Sequence, residues 1–206
     1  NREAIHSALD FNDGPIQGDS ESIRAYGFIP GRRSALPEPN GHDGHSLPES
    51  LTLLTYQLDG HIDLAHWVQD CLARIGVQVD ITVLPYPDFA RQETLRQFDL
   101  IVSGEVFDED ICLSFYDTFI SNPILEAVLL KQQKATIHKQ ARRVVASSEG
   151  IRMGFEALED ACLAQRFWIP LTHTRSTVLS SSLLHGESLN ALGWMNFSHL
   201  WLQDDA

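Results

Sequence analysis

LTLLTYQLDGHIDLAHWVQDCLARIGVQVDITVL, residues 51–84, decides how this chain folds. Its first six residues form a β-type run of leucine, threonine and tyrosine. Residues 61–75 place apolar side chains at helical spacing, and Gly76 follows where a C-terminal cap is expected. Residues 77–84 then alternate apolar and polar side chains, which predicts a half-buried strand.

The next segment continues the same alternation of strand and helix. Residues 85–95 predict a short helix, and 98–102 (FDLIV) predict an apolar strand. A β-α-β-α-β order implies parallel strands joined by right-handed crossovers. The sequence therefore predicts an α/β fold with a mixed, mainly parallel sheet flanked by helices.

The flanking segments predict three parts within residues 1–206. Residues 1–49 predict a helix over 1–11 and then an irregular strap rich in Gly and Pro, in which only 23–29 are apolar enough to pack. The α/β part spans 50–165 and ends in predicted helices over 110–119, 123–130, 131–147 and 149–165. Residues 166–206 predict returning strands at 167–171 and 177–179, followed by a last short helix.

Composition excludes several classes of function. The 206 residues are 43% hydrophobic, which is enough for a real core. The net charge is −13, so this fragment is not expected to contact a nucleic acid backbone, and the basic stretch 131–143 predicts a solvated helix face. No run approaches the roughly 18 apolar residues of a membrane span. The first residues carry no initiating Met or apolar leader, as expected of a mature or excised fragment.

Three cysteines bear on the compartment. Cys71, Cys112 and Cys162 are an odd number, widely spaced, and each stands next to apolar residues. This pattern predicts buried, reduced thiols that pack as small hydrophobic groups. Exported domains more often pair their cysteines or lack them, so the pattern favours the cytoplasm.

Five short motifs occur in a recognisable order. They are ALD at 8–10, RAYGFIP at 24–30, LTLL at 51–54 with IGVQV at 75–79, FDL at 98–100 with SG at 103–104, and IPL at 169–171. Together they resemble the family 5 (peptide and oligopeptide) solute-binding proteins. The resemblance implies the C-terminal lobe of a type II periplasmic-binding-protein-like fold, with residues upstream supplying the other lobe.

The tail NALGWMNF at 190–197 is similar to the ending of SgrR-type transcriptional regulators, although Asn196 stands where an acidic residue is usual. That resemblance implies the ligand-sensing part of a cytoplasmic regulator with a DNA-binding domain in the same full-length chain. The alternative is the substrate-binding component of an ABC-type peptide transporter, outside the cytoplasmic membrane. A structural interaction module is a third alternative. The implied ligand is a sugar, a sugar phosphate or a peptide.

The most informative stretch for a ligand site is SGEVFDED at 103–110. It follows a predicted parallel strand, and open α/β sheets bind ligands outside the carboxyl ends of their strands. In the family an Asp of the matching segment pairs with a ligand amino group, and the resemblance gives this role to Asp108. The candidate ligand-binding residues are Gly104, Glu105, Asp108 and Asp110. Alternatively, Asp108 and Asp110 cap the following helix.

Catalytic, metal and cofactor motifs were not found. HDGH at 42–45 offers two histidines, whereas structural zinc normally needs four ligands. The serines at 180–182 lack a G-x-S-x-G elbow, and no phosphate-binding glycine loop occurs. The prediction is a binding protein that is not an enzyme and needs no cofactor. We further expect a solvated helix face at Glu156, Glu159 and Asp160, and core positions for the tryptophans Trp67, Trp168, Trp194 and Trp201.

Overall fold

Three parallel strands form the central sheet of this computed structural model, which describes residues 2–11, 22–28, 47–106, 110–147, 151–166, 168–174, 179–189 and 194–203. The strands are β2 (Ser50–Tyr56), β3 (Gln78–Leu84) and β4 (Leu100–Ile101), in the order β3-β2-β4. Leu53 pairs with Ile81 on one side and Leu100 on the other. Because pairing is parallel, all three carboxyl ends lie at one edge, as the sequence predicts.

Helices cover both faces of this sheet. Leu53 points to the cluster that includes α2 (Asp59–Ala73), and Leu54 points to the cluster of α3 (Tyr86–Phe89) and α4 (Gln92–Leu95), because successive strand residues face opposite ways. Both leucines are fully buried. The single helix predicted over 85–95 is wrong: the extended backbone of Arg91 divides it into two short ones.

The short strand β4 is held in register by side chains. The Thr52 N–H and hydroxyl each donate to Asp99 Oδ2 at 2.9 Å. The hydroxyl of Thr55, a buried residue, donates to the Val102 carbonyl at 3.1 Å. These bonds fix the position at which the chain leaves the sheet after β4.

Helix α2 ends at Ala73, and Gly76 closes the turn that follows it, as predicted, in a left-handed conformation with φ of +82°. The Val77 N–H donates to the Leu72 carbonyl and the Gly76 N–H to the Ala73 carbonyl, both at 3.0 Å. This pair of bonds is the Schellman arrangement, which favours glycine at the left-handed position.

Gly76→Ala should lower the free energy of unfolding by about 1–2 kcal/mol, because an L residue is strained in that conformation. Gly60→Ala, within the first turn of α2, should raise it by about 0.5–1 kcal/mol through helix propensity. A Cβ at either position meets no atom within 4 Å, so the difference is conformational. Urea denaturation measures both, and equal shifts of the same sign would contradict the assignment.

The second half of the chain is helical. Its helices are α5 (Ile111–Ile120), α6 (Pro123–Val128), α7 (Lys131–Ala146) and α8 (Ile151–Ala164), close to the predicted spans. They enclose a core that includes Phe119, Leu125 and Phe155. The cations of α7 are largely exposed, as predicted for a solvated face, and Lys134 is paired with Glu126 at 2.5 Å.

The N-terminal part and the returning segment meet in a separate antiparallel ladder. Helix α1 spans Arg2–Ala8, and β1 (Ser22–Arg24) pairs with β5 (Thr172–Thr174). The described part of 23–29 packs as predicted, since Ala25 and Phe28 are buried. Two expectations are corrected: β5 lies after 167–171 and not within it, and the antiparallel strands lie outside the three-stranded sheet, which is purely parallel. Of the second predicted strand, 177–179, only Leu179 is described, outside the assigned strands.

Glu159 corrects the predicted solvated face of α8. This residue is only 1% exposed, and its carboxylate accepts a hydrogen bond from the Phe28 N–H. It lies one helical turn after the buried Phe155, on the inward side, whereas Asp160 is exposed as predicted. Burial lowers the pKa of the nearby His173, and a backbone bond at Gly27 and the Glu159 charge oppose that shift.

The described residues near the end of the chain form a hairpin, in which strand β6 (Leu184–His185) pairs with β7 (Trp201–Leu202). The predicted last short helix is reduced, among the described residues of 179–203, to a 3-10 helix at Phe197–His199, and Trp201 lies in a strand and not in a helix. Trp194 is 69% exposed and Trp201 is 56% exposed, against the predicted core positions. The Trp201 ring stacks on that of His185, with centroids 4.4 Å apart, within the hairpin itself. Trp67 and Trp168 pack against the cores as predicted.

Cys71 and Cys162 are buried free thiols, as predicted, while the Cys112 side chain lies outside the described residues. Burial, and then the Glu159 charge, raises the pKa of the Cys162 thiol to about 12. Within the described ranges, every helix is too short or too polar to cross a bilayer. The same residues contain no cluster of three or more His, Cys, Asp or Glu side chains able to hold a metal ion. The motif at 42–45 lies outside them.

Candidate functional site

The segment after β4 places two of the sequence-predicted residues at the carboxyl edge of the sheet. The Val102 N–H donates to the Leu54 carbonyl at 2.9 Å, which continues the parallel pairing by one residue. Beyond this bond the chain leaves the sheet, and Gly104 and Glu105 follow after Ser103. They therefore lie where open α/β sheets usually bind their ligands.

Two tyrosines follow the neighbouring strands at the same edge. Tyr56 ends β2, and Tyr86 comes two residues after β3. Their ring centroids are 5.2 Å apart in an edge-to-face arrangement, and the buried Phe89 ring lies 4.9 Å from that of Tyr56. Tyr86 is 57% exposed. The rings of Tyr56 and Tyr86 therefore form an aromatic surface that packs on Phe89 and is open to solvent beside Glu105.

His61, in the first turn of α2, packs against Tyr56 and is the third side chain at this edge. Its Nε2 lies 3.3 Å from the Tyr56 hydroxyl, and the two ring centroids are 4.5 Å apart. A Cβ on Gly104 would stand 2.5 Å from His61 Nε2, so only glycine permits this approach. Burial lowers the pKa of His61. Burial also raises the pKa of Tyr56, opposed by a hydrogen bond to the Gly104 backbone.

Glu105 is tied to the helical half of the chain by Asn122. The Asn122 Nδ2 donates to a Glu105 carboxylate oxygen, while its Oδ1 accepts from the N–H groups of Ile124 and Leu125 at 2.8 and 3.0 Å. Asn122 is buried and is the N-cap of α6. Although Glu105 keeps exposed surface, burial of its carboxyl group raises the pKa, and the bond from Asn122 acts in the opposite direction.

The two candidate aspartates have different outcomes. Asp110 is the N-cap of α5: its Oδ1 accepts from the Leu113 N–H at 2.9 Å. The capping alternative is therefore confirmed for Asp110. Asp108 lies outside the described residues, and its ligand role stays a prediction.

Sequence reasoning missed four members of this group: Tyr56, His61, Tyr86 and Asn122. Tyr56 and Tyr86 read as the end of a strand and the start of a helix, and His61 as one scattered histidine. A usable signal was present, since both tyrosines stand at the carboxyl ends of parallel strands. Chemically, the group combines an aromatic surface, a phenol, an imidazole and a carboxyl, which suits binding of a polar solute.

Comparison by sequence gives one distant relative. The chain matches no protein-family model. It is 24% identical over 172 residues to the uncharacterised protein YhjP of Bacillus subtilis (strain 168), a match that covers 82% of this chain and 29% of that protein.

Comparison by structure gives clear matches over almost the whole chain. HbpA2 from Haemophilus parasuis superposes with a TM-score of 0.67 at 17% identity, over 98% of this chain and 44% of the other. The oligopeptide-binding protein AppA of Bacillus subtilis, solved with a nonapeptide, gives 0.65 at 20% identity, over 98% and 47%. The ABC transporter-associated periplasmic binding protein DppA of Helicobacter pylori, solved with the peptide STSA, gives 0.62 at 16% identity, over 98% and 44%.

This chain therefore spans less than half the length of those structures. At such identities the likeness shows the fold alone, and that fold is the one expected from the sequence. The chain is a partial lobe of the α/β, periplasmic-binding-protein-like type.

Proposed function

We propose that this chain is the C-terminal lobe of a solute-binding protein and takes part in binding, not in catalysis. Its three parts are the helix and strap of 1–49, the α/β region of 50–165 and the returning segment of 166–206. A site built from one lobe is half a site, so the remaining contacts come from the lobe upstream.

The group at the carboxyl edge of the sheet is the observation that carries this proposal. Gly104 and Glu105 follow β4, and the exposed ring of Tyr86 follows β3 at the same edge. Carboxylates and aromatic faces orient polar ligands in sites that are otherwise apolar. Burial raises the pKa of the Glu105 carboxyl, a perturbation that is common at binding sites.

We further propose that the full-length protein is a cytoplasmic transcriptional regulator that senses its ligand through this domain. The buried thiols of Cys71 and Cys162 and the tail at 190–197 support that proposal. The alternative is the binding component of an ABC-type peptide transporter, supported by the fold shared with AppA and DppA. The N-terminal sequence of the full-length protein separates them: a winged-helix segment supports the regulator, and a signal sequence or lipobox supports the transporter.

A thermal-shift screen of the full-length protein tests solute binding directly. Glucose, glucose 6-phosphate and tetraalanine represent sugars, sugar phosphates and peptides. A solute that binds only the native state adds about 2.7 kcal/mol to its stability at 100 times Kd. Stabilisation by one probe class supports the proposal and narrows the ligand, whereas no shift with any of them contradicts it.

Glu105→Gln should weaken binding of the stabilising probe about tenfold or more, because a charged hydrogen-bonding partner contributes about 1.5–3 kcal/mol. The amide keeps an oxygen for Asn122. We expect no loss of folding stability. Burial raises the pKa of the Glu105 carboxyl in the folded protein, so the free energy of unfolding falls as the pH rises from the ordinary pKa of Glu through the raised one. At neutral pH the glutamine variant should therefore be at least as stable as wild type.

Asp70→Asn is the matched control, since Asp70 is an exposed carboxylate near the C-terminal end of α2, at the opposite edge of the sheet. Calorimetric titration at pH 7.5 gives the affinities and urea denaturation gives the stabilities. Unchanged affinity in Glu105→Gln, or a loss of stability equal to the loss of binding energy, would assign Glu105 a structural role instead.

A further inference from the structure

The hydroxyl of Tyr56 has two neighbours that can donate to it. The Gly104 backbone is hydrogen-bonded to its oxygen, and His61 Nε2 lies 3.3 Å away. Tyr56 is only partly buried. Which way its own proton points depends on which nitrogen of His61 carries a hydrogen.

The other nitrogen of His61 settles that question. Its Nδ1 is buried and has no hydrogen-bond partner among the described residues. A proton on Nδ1 would leave a buried N–H donor unsatisfied, and orphaned N–H groups are rarer in proteins than under-satisfied acceptors. Burial lowers the pKa of His61, so at neutral pH the ring is uncharged and carries one proton. The favoured tautomer therefore has its hydrogen on Nε2.

With that tautomer, His61 Nε2–H donates to the Tyr56 oxygen. The O–H of Tyr56 then points away from His61 and is available to another acceptor. No described residue accepts it. The charge of Glu105 acts to raise the pKa of Tyr56. The residue before it, Gly104, lies against His61 beside the Tyr56 hydroxyl.

We propose that Tyr56 is a specificity-determining residue whose O–H donates to a carbonyl or carboxylate oxygen of the solute, with His61 as the residue that orients it. The inference rests on the solute-binding function proposed above. It selects solutes that present an acceptor oxygen to Tyr56 while another part of the molecule meets Glu105. Gly104 is needed because any side chain there would displace His61.

The orientation of the hydroxyl can be tested without ligand. Full-length protein labelled with 15N-histidine is studied by NMR at pH 7.5, and the His61→Gln spectrum identifies the His61 signals. The proposal expects a neutral ring protonated at Nε2. A ring protonated at Nδ1 would overturn it, because Tyr56 would then donate to His61 and not to a solute.

The ligand role is tested with tetraalanine, whose carbonyl and carboxylate oxygens are acceptors. Tyr56→Phe keeps the ring and removes the donor, and it should weaken binding about threefold or more. Tyr116→Phe, which removes a hydroxyl from the helical core region, is the matched control and should change Kd less than twofold. Equal affinities of Tyr56→Phe and wild type would overturn the proposal.

The two measurements distinguish a failure of the proposed solute binding from a failure of the proposed role of Tyr56. If the wild type binds neither tetraalanine nor the sugar probes, solute binding itself fails and the specificity role of Tyr56 fails with it, whatever the tautomer. If the wild type binds tetraalanine but His61 is protonated at Nδ1, solute binding stands and only the role of Tyr56 is overturned.

Discussion

Phe89→Ala should lower the free energy of unfolding by about 3–5 kcal/mol, the usual cost of truncating a buried aromatic side chain. Phe89 is 1% exposed and forms the core beneath the candidate site with Leu54 and Leu95. The rings of Tyr56 and Tyr86 lie 4.9 and 6.0 Å from its own. The truncation therefore removes core packing and the support of the aromatic surface at once. Urea denaturation followed by circular dichroism measures the loss.

Tyr86→Ala is the matched control, because that ring belongs to the same helix but is more than half exposed. It should cost about 1 kcal/mol or less, as expected of a surface position. The two variants also separate packing from binding, since each alters the aromatic surface but only one opens the core. A loss below about 1 kcal/mol in Phe89→Ala would mean that its ring is not part of a close-packed core.

Glu159→Ala should lower the free energy of unfolding by about 1.5–3 kcal/mol, the contribution of a hydrogen bond to a charged group. The carboxylate is buried and accepts from the Phe28 N–H, so its removal leaves a buried donor without that acceptor. Glu159→Gln retains an oxygen at the same place and should lose clearly less. If the two variants were equally destabilised, the hydrogen bond to Phe28 would not be the cause.

Alkylation of Cys162 provides a second measurement of packing in the same region. Because burial, with the Glu159 charge, raises the pKa of its thiol to about 12, almost no thiolate is present at pH 8 and the native protein should resist iodoacetamide at this cysteine. Opening of the helical core removes that protection. Mass spectrometry of the Cys162 peptide should therefore show faster labelling in Glu159→Ala than in Glu159→Gln.

The parallel sheet could be predicted because its signals are local and repeated. Strand β2 is a β-type run, β3 carries the two-residue period, α2 carries the helical period, and Gly76 marks the turn between α2 and β3. The edge that holds Gly104 and Glu105 then follows from the parallel order. Each of these steps depends on residues within a few positions of one another, which is why the sequence alone was sufficient.

The wrong predictions concern contacts that the local sequence pattern does not specify. Glu159 stands beside Asp160 on one helix, and composition does not tell which of two acidic residues faces a backbone donor 131 positions away. Trp194 and Trp201 were placed in the core because tryptophan usually is, yet burial needs a covering surface as well as an apolar side chain. Tyr56 and Tyr86 come together only when strands β2 and β3 are aligned.

Asn122 couples the position of the Glu105 carboxylate to that of helix α6. One amide side chain begins a helix with its oxygen and holds a carboxylate with its nitrogen. Because Asn122 is bonded to both, we expect a movement of α6 to shift Glu105 and a movement of Glu105 to shift α6. A double-mutant cycle of Glu105→Ala with Asn122→Ser, each of which removes the hydrogen bond between them, would report this linkage as non-additive stability, and strict additivity would contradict it.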